Sequence, residues 1–184
     1  MEQGQKAILA KFGVDISAFA LGKSFSMPQR YFLRDLAMTI ESRFSHPTIV
    51  NIGVLLGCSM AWLRAGSPES TLIGIDIDLR RRCPGPALLK YLRATLLEMD
   101  SREACRSFEG VPHLVFVDGD HSYRAAGADM ECWSSRLPVG GIIALHDLHM
   151  GQVMKAFGEW YNSEVWQEVG GSPCLGFRAF ERIE

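Results

Sequence analysis

No apolar run in this 184-residue chain approaches the ~20 residues a helix needs to cross a bilayer. The opening stretch MEQGQKAILAKFG lacks the apolar core of a secretory signal, so the chain is expected to work in the cytoplasm, away from membranes. An excess of one charge is missing as well: 19 Lys and Arg against 21 Asp and Glu leave a net −2. Nucleic-acid binders usually show a basic domain, so nucleic acid is not an expected partner. The one basic cluster, Arg80, Arg81 and Arg82, reads as a solvated loop, with a role toward an acidic substrate left open. The five cysteines are odd in number and show no CxxC spacing. That speaks against a zinc site or a disulfide framework and leaves buried free thiols as the expectation. There is no internal repeat, low-complexity tract or linker, and no GxGxxG fingerprint.

What the chain does contain is an alternation of short apolar runs and amphipathic stretches. Thr48–Ile52, Thr71–Ile75, Thr95–Glu98, His113–Val117 and Ile142–Leu145 read as strands. Their nearly continuous apolar character fits strands buried on both faces of a parallel sheet. Helices are expected between them, over Ser59–Ala65, around Ala87–Leu92, over Ser101–Phe108 with Ser101 as N-cap, and from Ser122 onward. In the last of these Tyr123, Ala126, Met130, Trp133 and Leu137 share one face. A helix with Val153, Phe157 and Trp160 precedes two further strands, Val165–Val169 and Cys174–Phe180. The Gly170-Gly171-Ser172-Pro173 loop between them is short enough for an antiparallel hairpin. Upstream, Ser26 and Pro28 start a helix to about Phe44, with Phe32, Leu36 and Ile40 four apart. A short helix near Gln5–Phe12 precedes a loop at Gly22–Ser24. The alternation predicts an α/β, three-layer Rossmann-like sandwich around a seven-stranded, mostly parallel sheet with a C-terminal antiparallel hairpin. Residues 1–46 form an N-terminal helical extension or lid, and 47–184 the main body of a single domain.

The chemistry gathers at the strand ends. In an open α/β sheet, ligands sit outside the carboxyl ends of the strands. The fourth strand ends in Asp118, Asp120 and His121, the fifth in His146, Asp147 and, beyond, His149. The first ends in Asn51 and a turn with Gly53 and Gly57 in GxxxG spacing, followed by Ser59. Such a turn serves either close approach of a ligand to backbone or strand-to-helix geometry alone. Asp76 ends the second strand, 23 residues after Gly53, where an acid can accept hydrogen bonds from both ribose hydroxyls. Asp100 and Ser101 follow the third.

NIGVLLGCS, GIDID, EMDS, VDGDHSY and GGIIALHD, in this order and spacing, resemble the class I S-adenosylmethionine-dependent methyltransferases. The nearer match is the small-molecule branch with the cephalosporin-hydroxylase-like and the macrolide and sugar O-methyltransferases, over residues 48–150. The resemblance implies transfer of a methyl group from S-adenosyl-L-methionine to a small-molecule acceptor, at a hydroxyl. It implies that Asn51, where relatives carry an acid, together with Gly53, Gly57 and Ser59, faces the methionine portion. It further implies that Asp76 holds the ribose, that Asp100 and Ser101 flank the adenine, and that Asp118 lies near the sulfonium. In metal-dependent relatives, acids at the ends of the fourth and fifth strands hold Mg²⁺. Here those positions are Asp118 and Asp147, the latter preceded by His146. Either a divalent cation is held there with waters, or none binds. Asp120, His121 and His146 are the candidates for a general base.

Each residue also has a plainer reading. Asp120 and His121 can cap the helix that starts near Ser122, His146 can bond a neighbouring loop, and His149 is expected to be exposed. The Phe19–Met27 stretch can cover the cofactor or pack on a second subunit of a homodimer. Two other functions compete: a non-catalytic nucleoside-binding protein, favoured by Asn51, and a nicotinamide-dependent oxidoreductase, opposed by the glycine spacing and the hairpin.

Overall fold

Four-residue apolar runs, Leu114–Val117 and Ile142–Leu145, become fully buried strands at the centre of the sheet. The computed structural model describes residues 26–79, 90–171 and 176–184. In chain order the elements are α1 (Met27–Arg43), β1 (Thr48–Ile52), α2 (Cys58–Gly66), β2 (Thr71–Asp76), β3 (Thr95–Glu98) and α3 (Ser101–Ser107). Then follow β4 (Leu114–Val117), α4 (Tyr123–Ser134), β5 (Ile142–Leu145), α5 (Gly151–Trp160), β6 (Trp166–Gly171) and β7 (Arg178–Arg182). The expected helix near Gln5–Phe12, the Gly22–Ser24 loop, the arginine cluster and the first half of the helix around Ala87–Leu92 lie outside the described residues. So does all of the Phe19–Met27 stretch except its last two residues, as do Cys83 and Cys174.

The seven strands run in the order β3-β2-β1-β4-β5-β7-β6. The first five pair in parallel, β7 joins β5 antiparallel, and β6 closes the hairpin at the edge. Strand periodicity survives inside the buried runs. Leu114, Phe116, Ile142 and Ala144 pack on one face with Leu33, Leu36 and Ile40 of α1 and with α2. Val115, Val117, Ile143 and Leu145 pack on the other with Met130 and Trp133 of α4 and Phe157 of α5. Two helical layers therefore sandwich the sheet, as the alternation predicts.

Several local readings need correction. The buried stripe of α1 is Gln29, Leu33, Leu36, Ala37 and Ile40, one residue round from Phe32. Asp100, not Ser101, is the N-cap of α3, its side chain accepting from the Arg102 amide. The expectation of free thiols fails for Cys105 and Cys132, which form a disulfide joining α3 to α4. Their 27-residue separation carries no motif, and only the stacking of the two helices brings them together. Cys58 is free and half-buried. Among the described residues no helix is long and apolar enough to cross a membrane.

Candidate functional site

Strand order reverses between β1 and β4, and a cleft of about 490 Å³ opens over the carboxyl ends of the parallel strands at that point. The turn after β1 makes its floor. Gly53 has φ +84°, and a Cβ there would lie 2.0 Å from the Asp118 carbonyl oxygen, so only glycine lets the two strand ends abut. The backbone N–H groups of Val54 and Leu55 donate to Asp76 Oδ2 at 2.9 and 3.0 Å, and that of Asp78 to Oδ1 at 3.0 Å. Asp76 thus braces the turn while lining the cleft; Oδ2 is filled by its two N–H donors, and Oδ1 keeps a further lone pair for a hydroxyl donor. Gly57, at φ +80°, is the N-cap of α2. Neither it nor Ser59 lines the cleft, nor does Asn51, which is fully buried and donates its amide to the Gly53 carbonyl at 3.0 Å. Of the residues expected to meet the methionine portion through this turn, Gly53 alone lines the cleft.

Beyond Asp76 the cleft runs to Met99, Asp100, Ser101 and Arg102, with Ala125 and Asp129 of α4 across from them. The Arg102 guanidinium clasps Asp100 at 2.6–2.8 Å and holds its carboxyl well below the usual carboxylate range. Ser101 Oγ donates to Asp129 Oδ1 at 2.5 Å. Burial pushes Asp129 up to about 6, with the Ser101 bond pulling the other way. Asp129 went unread in the sequence, though a signal existed. It sits three residues after Ala126 and one before Met130, an acid inside the apolar stripe of its helix.

At the other end four side chains converge. His121 Nε2 is 2.8 Å from Asp147 Oδ2 and 4.0 Å from Asp118 Oδ1. His146 Nδ1 is 3.2 Å from Asp118 Oδ1 and 3.0 Å from Asp147 Oδ2, with neither oxygen on the N–H line. Asp147 reaches in from a left-handed backbone, φ +57°, a conformation that costs an aspartate about 1–2 kcal/mol and recurs at functional sites. Asp118 and Asp147 raise His121 against the opposing effect of burial, and His146 with its neighbours lowers Asp147. Asp120 accepts from the Ser122 amide at 2.8 Å, so its capping role is realised, and it lines the cleft as well. His149 is mostly exposed, 3.8 Å from Asp147.

The protonation of His146 follows from a residue that sequence reasoning missed. Gln29 of α1 lies 2.9 Å from His146 Nε2. The Ser26 backbone N–H donates to Gln29 Oε1 at 2.8 Å, and an amide N–H can only donate. The Gln29 amide is therefore oriented with Nε2 toward the histidine, and His146 Nε2 must accept. Burial pushes His146 down, while Asp118 and Asp147 push harder in the other direction, to about 9. These two indications disagree, and the hydrogen-bond orientation decides: in this arrangement His146 is neutral with its proton on Nδ1, facing the carboxylates. Protonating Nε2 would require the Gln29 amide to turn and abandon the Ser26 N–H.

Among the described residues, Asp118, His121 and Asp147 each offer one ligand atom within 4.8 Å of the others. His121 Nε2 is a buried ring nitrogen with no hydrogen-bond partner in line. Two carboxylate oxygens and an imidazole nitrogen so placed suit a divalent cation, and a set containing imidazole favours zinc, iron or nickel over magnesium.

A family model described as a methyltransferase domain matches residues 50–148, more than half of the chain. The fold resembles that of the O-methyltransferase NovP, at 12% identity and a TM-score of 0.71, over 86% of this chain and 81% of that one. It resembles an O-methyltransferase from Bacillus cereus in complex with S-adenosylhomocysteine, at 15% identity and a TM-score of 0.66, over 97% and 90% of the two chains. A third likeness is to CalS11, a TDP-rhamnose 3′-O-methyltransferase of calicheamicin biosynthesis, at 14% identity and a TM-score of 0.64, over 96% and 93%. At such identities the likeness is one of fold. No curated protein sequence matches the chain.

Proposed function

The chain belongs to the methyltransferase-domain family, and on that premise we propose that it transfers the methyl group of S-adenosylmethionine to a hydroxyl of a small-molecule acceptor. The observation that carries this reading is one continuous cleft with Asp76 midway and Asp118, His121, His146 and Asp147 clustered at one end. The donor's ribose is assigned to Asp76 and its sulfonium to the Gly53–Asp118 end. The hydroxyl as acceptor draws on the O-methyltransferase names of the structural neighbours.

Methyl transfer from a sulfonium is an in-line displacement, and alignment of oxygen, methyl and sulfur supplies much of the rate. The acceptor hydroxyl must also lose a proton. Of the three candidate bases, Asp120 is engaged by the Ser122 amide and His146 Nε2 by Gln29. His121 remains, but the flanking carboxylates favour its protonated form, which accepts no further proton. Its buried ring nitrogen, beside the Asp118 and Asp147 carboxylates with neither in hydrogen-bond line, fits a cation ligand better. We assign Asp118, Asp147 and His121 as the residues that would hold a divalent cation, with Nδ1 of neutral His146 beside the two carboxylates at 3.2 and 3.0 Å. A cation there would lower the acceptor hydroxyl's pKa, as it does for bound water.

Calorimetric titration with S-adenosylhomocysteine, with NADH as the comparison, tests the cofactor. Selective binding of the former is expected, and selective binding of NADH would sink the reading. Asp118→Ala should abolish turnover, a loss of at least ~10³-fold if it positions the reacting atoms, while the variant still binds S-adenosylhomocysteine. Full activity in that variant would remove Asp118 from the mechanism. Cofactor binding without turnover across a broad panel of hydroxyl acceptors, with manganese, zinc or magnesium added, would favour the non-catalytic reading.

A further inference from the structure

The end of the cleft away from the acid–imidazole cluster has the makings of a slot for a planar heteroaromatic ring. Ile75, Met99 and Ala125 supply apolar surface there, and Asp100 and Asp129 are its acids. A purine with an exocyclic amino group needs an acceptor in its plane. Asp100 is poorly placed to be that acceptor: its Oδ1 takes the Arg102 backbone N–H and Nε–H, and its Oδ2 takes Nη2. Its charge is neutralised by the same guanidinium, and its geometry is committed to capping α3.

Asp129 is in the opposite condition. It is 3% exposed, and Ser101 Oγ satisfies one oxygen. The other has no hydrogen-bond donor among the described residues. It faces the space left by Gly119, where a Cβ would come within 3.6 Å of it. A buried carboxylate with an open oxygen lining a cleft calls for a donor from whatever fills the cleft.

We propose that Asp129, rather than Asp100, reads the cofactor's adenine, accepting a hydrogen bond from its exocyclic amino group while Ser101 holds the carboxylate in plane. This rests on the S-adenosylmethionine reading above and adds the residue that selects adenine over a 6-oxopurine. Hypoxanthine presents a carbonyl oxygen where adenine presents the amino group. Against Asp129 that exchange replaces a donor by a second acceptor.

The test is calorimetric titration of the full chain with S-adenosylhomocysteine and with its deaminated analogue, S-inosylhomocysteine. Wild type should bind the adenine form about 10- to 100-fold more tightly, the range for one hydrogen bond to a charged group. Asp129→Ala should bring the two within about threefold, and Asp100→Asn should keep the wild-type ratio. Asp129→Ser is a smaller perturbation, and a cooperative melting transition shows that either variant is folded. A wild-type preference that survives in both Asp129 variants, or that vanishes in Asp100→Asn alone, overturns this assignment and leaves the cofactor reading intact. Failure of wild type to bind S-adenosylhomocysteine overturns the cofactor reading itself and the assignment with it.

Discussion

Gln29, His146 and Asp129 are ordinary residues until their neighbours are counted. Gln29 completes a capping box with Ser26 and spends the other end of its amide on His146. A feature that begins as the start of a helix thereby sets a tautomer beside two carboxylates. Asp129 has a measurable consequence for stability. Its folded pKa, about 6, lies above its ordinary value of 3.8, so the folded state holds the proton more tightly than the unfolded state does. Its contribution is most favourable below pH 4 and is lost as pH rises through 6. Asp129→Asn, which keeps an oxygen for Ser101, should therefore be more stable than wild type at pH 8, by up to about 3 kcal/mol, with the gap closing toward pH 4. Chemical denaturation at the two pH values checks this, and an equal difference at both would contradict it. At this scale Asp118, His121, His146 and Asp147 were legible because each follows an apolar run that stops abruptly. Gln29 and Asp129 were not, because they come to the site from helices, where the apolar stripe dominates the reading.

The element that most constrains the site is the turn between β1 and α2. It crosses the end of β4 so closely that Gly53 leaves no room for a methyl group, and its φ of +84° is unfavourable for any other residue. Leu55, two residues on, is itself left-handed at φ +46°, held there by the Asp76 carboxylate. Gly53→Ala should cost several kcal/mol, well beyond the usual ~1 kcal/mol of a point change, and weaken cofactor binding in whatever fraction folds. A variant with wild-type melting and affinity would show that the turn yields. The strands β1, β3 and β5 have the bounds that the apolar runs predict. Sequence reading placed the glycines of this turn and left open whether they serve a ligand or the turn itself. Gly57 serves the helix start, and Asn51 lies beneath the turn rather than in the cleft, with its Oδ1 buried and without a hydrogen bond. Arg64 was equally illegible. It is 3% exposed, and its guanidinium donates to the carbonyls of Ser67, Pro68 and Ser70 just beyond its own helix and of Leu92 on a separate segment, a ring of acceptors that exists only once the chain is folded.

Across the whole molecule, the α/β alternation made the three layers and the terminal hairpin readable, whereas the pairing of Cys105 with Cys132 depended on how α3 and α4 stack. That bridge closes a loop of 27 residues, which on chain-entropy grounds is worth about 3 kcal/mol. Reduction with a thiol should lower the melting temperature by on the order of 10 °C for a chain of this size, and Cys105→Ala should do the same without reductant. An unchanged transition in both would show that packing alone holds α3 on α4. The sheet also has an outer boundary. Along β6 the pairing with β7 slips between Glu168 and Gly170, and Glu168 is ion-paired to Arg178 next to the irregularity. An uninterrupted row of outward amides and carbonyls would be a template onto which another chain could add a strand. The slip breaks that row, so the hairpin that completes the fold also protects it against growth into aggregates at high concentration.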